Sequence, residues 1–573
     1  MTGKIALNSL AGCKWWDIST SQSPTVETAA SLDVAMNIYE ETLSEFESLM
    51  KKDSEQQWLR KVISTGTHSD QVAALVTLTQ MSPVLAMPYL RQLLNLAQVK
   101  ANRIVQPALA ALKRLLVEDL LPSRKLKFFT EQDLLTKSGI TKTHLLLFYF
   151  EDLLKKTFAT FIQLLFDAQT SPIESIRTSC VDFSFDILAV TKGANATGEQ
   201  EKPLLKLLVK SLGDKAEKRV SAKACLLIRK LAVKRPHLKE QLVDEVREQH
   251  LIAPKSGANS TAVDQYSRGI VLACSLFSSF PLNPQDDAFL AGKLVKIVSE
   301  LVNKIIDKKQ ARDKKRKLDA TCGLSEADAR VLRLCLKALA VAFAAAGSEC
   351  PLPGTTNALL IRLSHETTIP GLSVAILNFL NRLSQELRTD SPKLLRAIFG
   401  QVGNVAVYLS NSLPWLLSLV RDSVLGDAYA KDPTKIAFRR RLVQVASCVS
   451  EPGVLPVILA LTEPKQMEAD ILKQADDDED SSADERGYNP SFWDPCSAGA
   501  EKEQIVWERH LLKFHFDETV RKAADSTSVE VPEESKSLSS RLVDVSKLQL
   551  ETTSKKKRKV TVEDAPIEML GIC

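Results

Sequence analysis

The chain has 573 residues, 45% of them apolar and only 6% aromatic, with a net charge of +5. That is too long for one hydrophobic core, and a Leu- and Ala-rich composition with 21 glycines suits stacked helices better than β-architecture. The first residues hold no long apolar run, and ten scattered cysteines without a C-x-x-C argue against a zinc ribbon or thioredoxin-type site, so a soluble intracellular protein of a reducing compartment is expected.

Residues 1–34 read as a polar N-terminal extension in which Trp15 and Trp16 anchor the tail onto the first helices. From 35 to 465 the pattern is that of an all-α, HEAT/armadillo-like α-solenoid, with apolar stripes at helical spacing and Pro and Gly punctuation between them. Gly66 to Ser69 marks a turn, and Val72, Leu75 and Leu78 form the next stripe. One set of offsets recurs: Arg103-Ile104, Ala108, Ala111, Leu115; then Ile176, Cys180, Phe183, Ile187; then Arg219-Val220, Ala224, Leu227, Leu231; then Arg330-Val331, Cys335, Ala338, Ala342. The segment 144–166 is the most apolar helix, yet Glu151, Asp152, Lys155 and Lys156 make it a buried solenoid helix and not a membrane span.

Polar loops are expected at 193–200 and 253–263. Between them, Pro203 to Val246 reads as two antiparallel helices and the start of a third. Leu204, Leu205, Leu208 and Leu212 lie on one stripe, and Asp214 is placed to cap the next helix. Pro236 ends that helix and permits another over Leu238, Leu242, Val243 and Val246. Such pairs bury their stripes only by stacking on similar pairs.

From Glu201 to Arg247 there are thirteen Lys or Arg against six Asp or Glu. The apolar stripes take the inner faces, so Lys215, Lys218, Arg219, Lys223, Arg229, Lys230, Lys234 and Arg235 are expected outside, as a ridge that reads phosphate by shape and charge or simply as a solvated exterior. The run 304–319 carries eight bases, among them Lys314, Lys315, Arg316 and Lys317, and reads as a solvated helix face or loop, a phosphate contact or an import signal. Arg439, Arg440 and Arg441 form a third basic cluster.

Residues 466–486 read as an acidic linker, with seven acids in the ten residues of 476–485. A compact motif occupies 487–524. It is expected to pack on the last solenoid helices, with Trp507 as buried anchor and one helix from Glu501 to Ala524 turning Ile505, Leu512 and Val520 inward. The tail, 525–573, ends in the basic cluster Lys555, Lys556, Lys557, Arg558 and Lys559, which fits a nuclear-import signal.

No phosphate loop, dinucleotide fingerprint, nucleophile elbow or H-E-x-x-H occurs, and nothing forms a nucleophile–base–orienter set, so no enzyme and no cofactor is expected. His510, His515 and Asp517 are close in sequence, but offsets of five and two do not share a helical face, and no metal site is expected. No DNA-reading helix-turn-helix, basic zipper or zinc finger is found.

Tyr488-Asn489-Pro490, Trp493-Asp494-Pro495, Ala500-Glu501, Trp507-Glu508 and His515 through Val520 resemble the signature of the CCAAT-binding-factor family, which comprises the nucleolar complex proteins. KWWD at 14–17, 138–152, 213–231 and 438–452 occur in the order of its large-subunit branch. The motif departs from the family pattern at Trp493, where Arg is usual, at Arg509 after Trp507-Glu508, and at Asp517-Glu518-Thr519. The resemblance implies a non-enzymatic nucleolar scaffold of large (60S) ribosomal subunit assembly, located in the nucleus and nucleolus. Its implied partners are pre-ribosomal RNA, a second nucleolar complex protein, other pre-60S assembly factors and ribosomal proteins, with no membrane. A HEAT-type protein-binding adaptor or transport receptor is the alternative.

Overall fold

The structure, a computed structural model, describes residues 14–18, 31–51, 54–98, 102–122, 124–133, 140–189, 198–214, 218–252, 260–315, 324–347, 352–387, 392–425, 432–448, 455–462, 488–489, 491–499 and 507–525. Every regular element among them is helical, with no β-strand. The chain divides into two units, residues 1–281 and 282–573.

The first unit holds α1 (Leu32–Met50), α2 (Ser54–Thr65), α3 (His68–Met81), α4 (Met87–Gln98), α5 (Asn102–Leu115), α6 (Lys142–Gln169), α7 (Glu174–Ala189), α8 (Glu201–Lys210), α9 (Lys218–Lys234), α10 (Lys239–Val246) and α11 (Ser260–Phe277). Two layers result. In one, α5 packs on α7, α7 on α9 and α9 on α11; in the other, α4 packs on α6, α6 on α8 and α8 on α10. Three of the four recurrences of the sequence offsets thus fall in one layer, α5, α7 and α9. Val220, Ala224, Leu227 and Leu231 of α9 and Leu204, Leu205, Leu208 and Leu212 of the preceding helix are all buried, as the stripes require.

Three details correct or extend the sequence reading of this unit. The Asp214 carboxylate accepts from Arg177 Nε at 2.9 Å, and both side chains are nearly buried; the N–H groups that Asp214 was expected to cap belong to 215–217, outside the described residues. The second expected loop is shorter than 253–263, because α11 already starts at Ser260; the first, 193–200, lies mostly outside the described residues. In α6 the acids are not surface charges. Glu151 is buried, gripped by both Arg124 Nη atoms, the Lys127 N–H (2.9 Å) and Gln132 Nε2 (2.9 Å), so a full set of donors offsets its desolvation. Trp15 is buried on the same helix, edge-to-face with Phe150 at 5.5 Å, and donates Nε1–H to Leu120 O at 2.8 Å.

The second unit holds α12 (Ala288–Lys315), α13 (Glu326–Ala346), α14 (Gly354–Glu366), α15 (Pro370–Leu387), α16 (Pro392–Val402), α17 (Val405–Tyr408), α18 (Leu413–Val420), α19 (Asp432–Cys448), α20 (Leu455–Thr462), α21 (Trp507–Leu512) and α22 (Glu518–Asp525). Again there are two layers: α12, α14, α16 and α19 pack in succession, opposite α13, α15 and α18. Among the described residues no helix is long and apolar enough to cross a membrane. Cys180, Cys225, Cys274 and Cys335 are buried, and burial pushes the Cys180 thiol up to about 12, which leaves it an apolar filler with little thiolate.

Candidate nucleic-acid and partner interfaces

The inward stripe of α9 leaves a contrary face exposed. On it lie Lys218, Arg219, Lys230 and Lys234, interrupted by Leu226 (39% exposed) and Val233 (65%). Lys234 Nζ stands 5.3 Å from the Phe185 ring centroid. The rest of the expected ridge is less available. Lys223 pairs with Asp182 of α7 at 2.6 Å, and Lys113 of α5 pairs with Asp186 at 2.7 Å, so α7 inserts an acidic row between two basic helices. Arg229 is half-buried and donates to Cys225 Sγ at 3.3 Å. Arg235 is 4% exposed, held by Glu201 (2.7 Å) and Leu188 O (2.9 Å), and is a tie between α9 and α8 instead of a phosphate contact. Lys215 lies outside the described residues, as do Arg316 and Lys317; Lys314 and Lys315 form the end of α12.

The arginines of α19 depart further from expectation. Arg440 is fully buried, its guanidinium 4.5 Å from the Tyr488 ring centroid. The Arg441 guanidinium lies 4.2 Å from the Phe399 ring centroid and donates Nη1–H to Phe492 O at 3.3 Å; burial pulls its pKa down. Arg439 is half-buried. These bases cannot form an exposed phosphate-binding cluster, because Arg440 occupies the inward stripe with Ile436 and Val443, and the terminal motif covers it.

Four further contacts clasp the start of that motif. Asp494 pairs with Arg396 of α16 at 2.9 Å, Tyr488 Oη donates to Gln444 Oε1 at 3.2 Å, Cys496 Sγ lies 3.4 Å from Thr434 Oγ1, and Trp493 meets His365 edge-on at 6.0 Å. The surface beneath is bare by composition. A Cβ on Gly400 would stand 2.9 Å from Trp493 Cζ3, and one on Gly403 would stand 2.7 Å from Arg441 Nη2. Gly400 of α16 and Gly403 in the turn just past its end make the shelf on which the tryptophan and the arginine lie. Pro495 is buried, and its segment packs on α19 and α16.

Beyond 499 the expected arrangement fails in two ways. There is no single helix: α21 and α22 are separated by a turn at 513–517, and Glu501 and Ile505, like Pro490, fall outside the described residues. Trp507 is not the buried anchor, being 44% exposed. The inward stripe of α21 is Glu508 (0% exposed) and Leu512 (4%), one turn apart, and Trp507 falls off it. Val520, Ala523 and Ala524 of α22 are buried, where that helix packs on α20. Leu511, Phe514 and Phe516 stay 58%, 87% and 78% exposed, forming an apolar edge. His515 Nδ1 accepts from the Asp517 backbone N–H at 3.1 Å, and among the described residues no group of His, Cys, Asp and Glu gathers to hold a metal.

With this geometry in place, comparison with known proteins identifies the region. Residues 360–524 match the CBF/Mak21 family model, so the resemblance to the CCAAT-binding-factor family holds, and the match contains the whole clasp. An uncharacterised protein of Schizosaccharomyces pombe is 33% identical over 214 residues, 37% of this chain and 24% of that protein. CCAAT/enhancer-binding protein zeta of Homo sapiens is 24% identical over 493 residues, 83% of this chain and 43% of that protein. Ribosome biogenesis protein NOC1 of Chaetomium thermophilum is 24% identical over 544 residues, 85% of this chain and 51% of that protein. The chain therefore spans between 24% and 51% of the length of these curated relatives.

Proposed function

With residues 360–524 a match to the CBF/Mak21 family, we propose that the chain is a non-enzymatic scaffold in ribosome biogenesis. More finely, it acts in large (60S) subunit assembly in the nucleolus, binds pre-ribosomal RNA, and works with a second nucleolar complex protein and other assembly factors. The observation that carries this reading is the clasp: the matched region is a helical array whose arginines hold its own terminal motif, a build suited to presenting surfaces and not to chemistry. The similarity to a protein named for ribosome biogenesis supplies the process. RNA contact falls to Lys218, Arg219, Lys230 and Lys234, whose exposure on one helix suits sequence-independent phosphate binding. Lys555 to Lys559 supply nuclear import, and the HEAT/armadillo-like character of the array and the segment boundaries at 34, 465, 486 and 524 belong to this proposal as well.

The test is sedimentation of the tagged full chain from cell extract on a density gradient, with sequencing of the RNA that co-purifies. Co-migration with large-subunit precursors and recovery of their RNA is expected. Confinement to light fractions, with protein partners and no ribosomal RNA, would instead identify the adaptor or transport-receptor reading.

A further inference from the structure

Between α13, α15 and the start of α18 the second unit carries a cavity of about 260 Å³. Small residues open it: Ala340 and Ala344 of α13 and Ala375 of α15 leave a gap where larger side chains would close the helix seam. Phe343, Phe379 and Trp415 wall it, the two phenylalanines tilted against each other at 6.1 Å. A void of that size holds one or two large apolar side chains and is smaller than most cofactor sites.

Its rim is positive. Arg333 and Lys337, one turn apart on α13, both line it, and neither has an ion pair or side-chain hydrogen bond among the described residues. Arg333 Nε is buried without an acceptor. Burial lowers the pKa of each, and their mutual proximity lowers that of Lys337 further; Glu326, two turns away, is the acid that acts on Arg333. Elsewhere in this unit a buried base has found an acid: Lys309 pairs with Glu366 at 3.0 Å. Two cations kept together at the lip of an apolar cavity, with no carboxylate against them, are complementary to an anion attached to something greasy.

We propose that this groove is a docking site for an acidic amphipathic peptide segment of a protein partner, which inserts an aromatic or leucine anchor between Phe343, Phe379 and Trp415 and sets Asp or Glu side chains on Arg333 and Lys337. The proposal goes beyond the scaffold reading, because it stands whether or not the chain binds RNA. A nucleic acid is the poorer fit: the lining is mainly apolar, and the cations stand beside one cavity instead of tracking a backbone.

The experiment is selection of a randomised peptide-display library on the folded full chain, with an Ala375→Trp variant, its groove filled, as soluble competitor. Peptides retained against that competitor are expected to carry Asp or Glu on either side of a Trp, Phe or Leu. Their affinity, read by fluorescence anisotropy of a labelled synthetic copy, should fall about tenfold or more for the double variant Arg333→Glu, Lys337→Glu, and fall with added salt. The neutral pair Arg333→Gln, Lys337→Gln should give an intermediate loss with an unchanged melting transition, separating lost recognition from lost folding. The proposal is overturned if no groove-dependent peptide emerges, if the enriched peptides have no acidic bias, or if charge reversal leaves their affinity unchanged. It is equally overturned if a single-stranded uridine oligonucleotide binds the chain and the charge-reversed variant loses that binding while the peptides keep theirs.

Discussion

Helices α9 and α19 are each 17 residues long and each carries a run of bases, yet they put them to opposite uses. On α9 the stripe Val220, Ala224, Leu227, Leu231 holds the inside, and Lys218, Arg219 and Lys230 are left in solvent. On α19 the stripe itself contains a base: Arg440 sits between Ile436 and Val443 with no exposed surface, under Tyr488. A cation on the outer face is a candidate ligand contact. One on the inner face is structural, because a buried charge persists only where partners hold it.

The largest effect is expected from Arg440→Ala. Removing a fully buried guanidinium forfeits its contact with the Tyr488 ring and leaves a void in the inward stripe of α19. A loss on the order of 3 kcal/mol should appear in denaturant unfolding, with new protease cleavage in 488–525. A variant as stable as the parent would erase the distinction between the two helices.

Gly400→Ala comes next. Its Cβ would meet Trp493 Cζ3 at 2.9 Å, but Trp493 is 63% exposed and can shift outward, so a cost of about 1 kcal/mol is expected. Increased tryptophan quenching by acrylamide would report the loosened clasp; unchanged quenching would mean the shelf is not what seats Trp493.

The triple variant Lys218→Ala, Arg219→Ala, Lys230→Ala should change stability by no more than about 0.5 kcal/mol. It should nonetheless weaken RNA binding and flatten its dependence on salt, by about one unit of log–log slope for each phosphate that is no longer neutralised. Equal salt slopes for variant and parent would remove α9 from the nucleic-acid interface. The smallest effect is assigned to Asp182→Asn with Asp186→Asn, which frees Lys223 and Lys113. Partly exposed pairs contribute about 1 kcal/mol or less, so stability should barely move while RNA affinity rises a few-fold in a filter-binding titration.

The helical stripes were legible in the sequence because 3.6-residue periodicity is a local property: the stripes of α9 and of 204–212 are buried as read, and on α7 only Phe183 of its stripe is half-buried. The same periodicity held a signal that residue type obscured. Ile436 and Val443 place position 440 on the inward face, and Leu512 places position 508 there, but an Arg and a Glu read as surface residues and Trp507 as core. What no local pattern encodes is the partner across a seam. That Asp182 would neutralise Lys223, that Arg177 would claim Asp214, and that Gly400 of α16 would seat Trp493 are facts of helix stacking between distant segments.

The cover that α22 lays on α20 has a consequence in time. Leu455, Val457, Ile458 and Leu459 of α20 are buried in the finished molecule, partly beneath Val520, Ala523 and Ala524. The ribosome that makes the chain delivers α22 about sixty residues after α20, several seconds later at roughly 5–20 residues per second. Throughout that interval one of the most apolar helices in the chain is a bare, sticky end, and its shielding by a chaperone or a waiting partner becomes a question of synthesis rate.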